Sequence, residues 1–246
     1  MENTKIILSK SDPVLANIIA QILDPIIEST NDVFHDMLSC IIEQQIHYRS
    51  TKNIFKKALE RAGIARVTPK NLYLLEEHAL PTIKLSMGKY ETLLKFIEFW
   101  NNNELDFVEL TDNEVIAQFS AIKGIGKWTI DMILLYTLQR PNVFPYDDFH
   151  LKQVMVKMYG LDPNTRLKAQ MIEVSNAWGE HKSLAVKYLL ATKAPRPPEG
   201  NFVELRFFSP SPFSERGWGE VQTLDFGTIS PHPKFLSFQE RDFIFP

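Results

Sequence analysis

An all-α fold is what this sequence predicts, and three observations carry that reading. Apolar residues recur at three- and four-residue spacing in one segment after another, the signature of helices with one buried face. Those segments are separated by helix punctuation, such as Ser11-Asp12-Pro13, Gly63, Thr111-Asp112-Asn113-Glu114 and Asp162-Pro163-Asn164. Between Ser11 and Thr192 no stretch alternates apolar and polar residues as a half-buried strand does.

Residues 1–10 carry no clear pattern. Ser11-Asp12-Pro13 reads as a helix start, an acceptor side chain followed by proline in the first turn, with Val14, Leu15, Ile18, Ile19 and Ile22 as its buried face. Val33, Phe34, Met37, Leu38, Ile41 and Ile42 give the next helix, ending at Ile42-Glu43-Gln44-Gln45-Ile46. A helix over about 50–62 places Ile54, Phe55, Ala58 and Leu59 inward and Lys52, Lys56 and Lys57 outward; Gly63 stops it. Thr68-Pro69-Lys70-Asn71-Leu72 reads as the cap of a short helix. Leu85-Ser86 then opens a longer one with Met87, Tyr90, Leu93, Leu94 and Ile97 inward. Thr111 to Glu114 fits a capping box. After residue 148, helices are expected over about 149–158, 167–178 and 183–191.

The centre of the chain is Ile122-Lys123-Gly124-Ile125-Gly126-Lys127-Trp128-Thr129. Two glycines around one isoleucine suit a turn with close backbone approach and positive φ. Ile130, Ile133, Leu134 and Leu138 follow at helical spacing, so the turn opens a helix whose free amides face outward and favour an anion such as phosphate. Pro145-Tyr146-Asp147-Asp148-Phe149 then starts another helix with an acid at its head. A phosphate grip followed by a carboxylate suits a hydrolase working on a nucleic-acid backbone or sugar. Asp148 is equally an ordinary helix N-cap, and the two roles are compatible.

The 246 residues suffice for a large core, and 44% hydrophobic and 23% charged content are those of a globular protein. No apolar run reaches membrane-spanning length, and Met1-Glu2-Asn3-Thr4-Lys5 does not resemble a signal peptide. An intracellular, cytoplasmic protein is expected. One cysteine, Cys40 in an apolar run, permits no internal disulfide and reads as a buried thiol. A net charge of −3 and a pI near 6.1 confine any DNA affinity to backbone amides and a local basic patch. From Lys193 the chain turns to Pro, Phe, Ser and Gly without periodicity. Residues 1–192 are therefore read as the folded unit and 193–246 as a poorly ordered tail.

Gly124-Ile125-Gly126-Lys127-Trp128-Thr129, followed by Val143-Phe144-Pro145-Tyr146-Asp147-Asp148, resembles the helix-hairpin-helix DNA glycosylases, most closely their 3-methyladenine glycosylase II branch. Leu85-Ser86-Met87-Gly88-Lys89 and Trp178 with Lys182-Ser183 agree with it. The resemblance covers about residues 12–191. It implies a two-lobed helical fold with a cleft, a monomer acting on damaged double-stranded DNA, and flipping of the target base.

Asp148 falls at the position of the catalytic acid. The hairpin that takes a phosphate is Lys123, Gly124, Gly126, Lys127, Trp128 and Thr129. Trp128 stands where relatives stack the extruded base, with Phe144 and Tyr146 as further candidates for the pocket; both also read as core. Gln44 and Gln45 fall on the turn that plugs the duplex from the minor groove, with His47 and Arg49 beside it. Lyase members have lysine where this chain has Trp128, so a monofunctional enzyme is implied. No cofactor is implied beyond a sodium or potassium ion that some relatives hold on hairpin carbonyls. A noncatalytic duplex-binding module that recruits a partner through the tail is the alternative, and an oxidised-purine glycosylase a third reading.

Overall fold

The computed structural model describes residues 2–25, 29–43, 54–83 and 85–192. Gln44, Gln45, His47, Arg49 and the whole of 193–246 lie outside these, so the plug and tail readings are not addressed by it. The described residues are helical throughout, with no strand among them. In order, the helices are α1 (Glu2–Ser11), α2 (Pro13–Gln21), α3 (Val33–Glu43), α4 (Ile54–Arg61), α5 (Leu72–His78), α6 (Met87–Asn102), α7 (Asp112–Ser120), α8 (Lys127–Met132), α9 (Phe149–Tyr159), α10 (Leu167–Asn176) and α11 (Lys182–Ala191). None is long and apolar enough to cross a membrane.

They pack as two groups. One joins the two ends of the chain: α1 lies on α2, α2 on α11, and α11 on α9. The other is built from the middle, with α3 against α4, α6 and α8, and α7 against α8. α8 runs directly into a wider π-helical segment, Ile133–Thr137, that also packs on α3. Residues 129–137 are all buried, so this rod is the axis of the central group. Asp36 of α3 fastens its far end: buried, its Oδ2 accepts from Thr137 Oγ1 at 2.6 Å and from Thr30 Oγ1 at 2.5 Å.

Three sequence expectations change. Residues 2–11 form a helix that patterning missed, because only Leu8 is buried on it while Ile6 and Ile7 face solvent. Thr68-Pro69 is a turn and not a cap: α5 begins at Leu72, and the Thr68 amide donates to Asn71 Oδ1 at 2.7 Å. Met87 is 55% exposed; the buried face of α6 is Lys89, Thr92, Leu93, Phe96 and Ile97. Other signals hold. Asp12 caps α2 through Val14 and Leu15, the Thr111–Glu114 capping box is formed, and Cys40 is buried, where desolvation pushes its thiol well up. Gly160, at φ 64°, ends α9 ahead of the expected Asp162-Pro163 break.

Two fastenings hold the segment that leads to α9. Arg140 donates through Nη2 to the carbonyls of Phe107, Val108 and Leu110. Ser183, in the first turn of α11, donates to the Arg140 carbonyl at 2.5 Å, accepts from the Val143 amide at 2.9 Å, and gives its own amide to Pro141. The chain is thereby pinned on both sides just before Asp148.

Candidate functional site: the glycine turn and Asp148

Only one of the two hairpin glycines is required by its conformation. Gly124 has φ +102°, and a Cβ there would overlap the Thr92 side chain of α6. Gly126 has φ −95°, is the N-cap of α8, and faces open space. The turn closes through the Ile125 amide, which donates to the Ile122 carbonyl at 3.1 Å, while both isoleucines are buried. Among the described residues the amides of Gly124, Gly126 and Trp128 have no carbonyl acceptor, and they belong to an exposed turn running into a helix start, where such donors are ordinarily left over.

α6 is the bench on which the turn sits, and it reaches further. One turn before Thr92, Lys89 is buried at 6% exposure and donates from Nζ to the Ile42 carbonyl at 2.8 Å. Desolvation lowers its pKa to about 8, against the pull of Glu43. Glu43, the last residue of α3, accepts from the Phe55 amide at 3.2 Å. One helix face thus sets the glycine turn relative to the end of α3.

Asp148 lies at the head of α9 with 4% exposure. Its Oδ1 accepts from the Leu151 amide at 2.7 Å, an N-cap bond. Its Oδ2 accepts from the Trp128 indole N–H at 2.9 Å, a bond that ties the acid to the helix the glycine turn opens. A second aspartate has a parallel construction. Asp12 caps α2 through Oδ1 and takes Trp178 Nε1 and Tyr159 OH on Oδ2, each at 2.7 Å. A carboxylate offers about four acceptor positions. Asp12 receives four donors in these bonds and Asp148 two, so among these bonds of the described residues Asp148 is the less filled acceptor. Trp178 is 1% exposed, whereas Trp128 is only partly buried, so the cover over Asp148 borders solvent.

The remaining sequence candidates separate. Tyr146 lies between hairpin and acid, with the Lys127 Nζ 4.5 Å from its ring centroid. Phe144 meets Trp178 edge-on at 5.6 Å. Thr129 is buried at 1% exposure and is not on the surface of the turn, whereas Lys123 is exposed. Lys127 is held by Asp131, one helical turn on, at 2.5 and 2.7 Å. Burial raises Asp131 to about 6 despite that ammonium. Asp147 is exposed and 3.7 Å from Lys152.

Sequence reasoning missed Asp131, Thr92 and Tyr136. The i, i+4 spacing of Lys127 and Asp131 was a usable signal; nothing local marked Thr92. Tyr136 is buried, and its phenol is pushed up by desolvation and by the charge of Asp148.

Similar proteins share this arrangement's fold. The protein YfjP of Bacillus subtilis (strain 168) is 26% identical over 166 residues, which are 64% of this chain and 58% of YfjP, so the match spans well under two thirds of that relative. The crystal structure of a DNA-3-methyladenine glycosidase from Bacillus halodurans superposes with a TM-score of 0.61 at 26% identity, covering 76% of this chain and 87% of that one. A 3-methyladenine DNA glycosylase of Schizosaccharomyces pombe, solved with abasic DNA, gives 0.62 at 20% identity over 77% and 96%, a likeness of fold. The matching family model runs over residues 38–179, a span that holds the glycine turn, Trp128 and Asp148, and the chain belongs to the HhH-GPD superfamily of base excision DNA repair proteins.

Proposed function

We propose that this chain is a monofunctional DNA glycosylase that hydrolyses the N-glycosidic bond of alkylated purines of the 3-methyladenine and 7-methylguanine type. It works as an intracellular monomer on double-stranded DNA. The observation that carries the reading is the Asp148 carboxylate, oriented by the Leu151 amide and the Trp128 indole beside an open glycine turn. Two of the solved structures it resembles are described as 3-methyladenine glycosidase or glycosylase, one of them with abasic DNA.

The chemistry asks little more of the protein. Breaking the bond builds positive charge on the sugar, and a fixed carboxylate stabilises that charge and aligns water for attack. An alkylated purine already carries positive charge and departs without a strong general acid. The amides of Gly124, Gly126 and Trp128, with Lys123, grip a phosphate of the damaged strand. The extruded base enters beside Trp128, an electron-poor ring against an indole face. As it enters, the indole N–H gives up Oδ2, exposing the carboxylate to the sugar. With Trp128 at the position where a lyase has lysine, no Schiff base forms.

A noncatalytic duplex-binding module is the second reading, favoured by the 4% exposure of Asp148: as Asp12 illustrates, an indole over a capping aspartate makes structural sense without any reaction. A panel of duplexes, each with one damaged base, tests the two. Alkali-labile sites at methylated purines, with no covalent adduct trapped by borohydride on abasic DNA, support the glycosylase. Duplex binding with no base released from any lesion favours the module.

A further inference from the structure

The whole chain is acidic, so phosphate contacts must come from few positions, and the hairpin supplies fewer than its sequence suggests: Lys127 is already neutralised by the buried carboxylate of Asp131. A second cation stands beside it. Lys168, from α10 and outside the glycine turn, places its Nζ 4.0 Å from the centroid of the same Tyr146 ring that Lys127 approaches at 4.5 Å. Among the described residues no carboxylate oxygen comes within 4.0 Å of it. Asp147, the acid whose charge it feels, is exposed and nearer to Lys152. The ring therefore holds an exposed ammonium in place while leaving its charge available, and Tyr146 stands two residues before Asp148.

We infer that Lys168, steadied on the Tyr146 ring, is a DNA phosphate ligand that takes one backbone phosphate beyond the hairpin, with the partly neutralised Lys127 as its weaker companion. This rests on the reading of the chain as a duplex-DNA protein, though not on its catalysing base release. A contact of this kind is independent of sequence and lesion, and it displaces counterions, so it is read from the salt dependence of binding.

The test is the affinity of the full chain for an undamaged duplex between about 50 and 200 mM salt, where each phosphate contact contributes about 0.9 to the slope of log K against log salt. Lys168→Gln is expected to weaken binding and make the slope shallower by about that amount. Lys168→Arg is expected to restore it, and Lys10→Gln, on α1, to leave it unchanged. An unaltered slope in Lys168→Gln overturns the inference. So does an equal change in Lys10→Gln, a failure of arginine to rescue, or an absence of duplex binding by the unsubstituted chain. Base release from methylated DNA, measured on the same preparations, separates this from the functional reading: a slope lost with Lys168 in a protein that releases no base leaves the phosphate contact standing and removes the glycosylase.

Discussion

Gly124 and Gly126 look equivalent in the sequence, yet the backbone asks different things of them. At Gly124 a side chain would meet both a positive φ and the Thr92 side chain, so Gly124→Ala is expected to lower stability by roughly 2–5 kcal/mol. At Gly126 the φ of −95° is ordinary and the space open, so Gly126→Ala is expected to keep the melting temperature near that of the parent. Thermal melts of the two variants check the pair; equal losses would mean the turn is not built this way. Asp12 lends itself to the same kind of test. Its four donors come from α2, α9 and the α10–α11 turn, so Asp12→Ala strands a half-buried phenol and a buried indole N–H and is expected to cost about 2–4 kcal/mol in denaturant unfolding. Glu76 runs the other way. Burial raises its pKa to about 7, and one of its oxygens is buried without a hydrogen-bond partner among the described residues. A carboxyl whose folded pKa exceeds its unfolded value binds more protons when folded, so stability falls as pH rises from about 4.5 to about 7. Glu76→Gln is expected to gain ~1–3 kcal/mol at pH 8 and distinctly less at pH 5, from the same linkage; a gain independent of pH would contradict it.

At the scale of elements, what the sequence made legible was local. The glycine turn, the helix it opens, the capping box at Thr111 and the acid heading α9 each lie within a few neighbouring residues, and each formed, although only Gly124 needs to be glycine and the helix widens into a π segment after Met132. What failed depended on partners far along the chain. The inner face of α6 was misplaced because Met87 is the more apolar choice, yet Lys89 is the residue buried, drawn in by a carbonyl 47 residues away. Helix α1 escaped notice because its anchoring is polar: Lys5 pairs with Asp24 at 2.6 Å, and Asp24 accepts from Tyr188 of α11 at 2.7 Å. Trp128 was legible as part of the site but not as a donor to Asp148, since an indole N–H aimed across twenty residues leaves no trace in periodicity. The charge of Lys127 was overcounted for the same reason, its partner Asp131 being visible only as a spacing.

For the whole molecule, two helical groups are joined where the helix opened by the glycine turn reaches the head of α9, through the hydrogen bond from Trp128 to Asp148. The turn belongs to the middle of the chain, while α9 packs with the helices of its ends, so the geometry between glycine turn and acid is set by the packing of the two groups. On the proposed reading, an acidic protein with this architecture reaches DNA through the turn and its immediate surroundings, not through a broad basic face. The central claim is that Asp148 acts on the sugar and does not merely cap a helix. Single-turnover release of 7-methylguanine from a duplex, compared between the unsubstituted chain and Asp148→Asn, tests it most directly, because asparagine keeps the cap and removes the charge. Release is expected to fall by at least ~100-fold, the scale of one electrostatic or acid–base catalytic group, with duplex affinity nearly unchanged and the melting temperature lowered only by the Trp128 indole N–H losing its acceptor. Release at the parental rate from a folded, DNA-binding Asp148→Asn protein would contradict it.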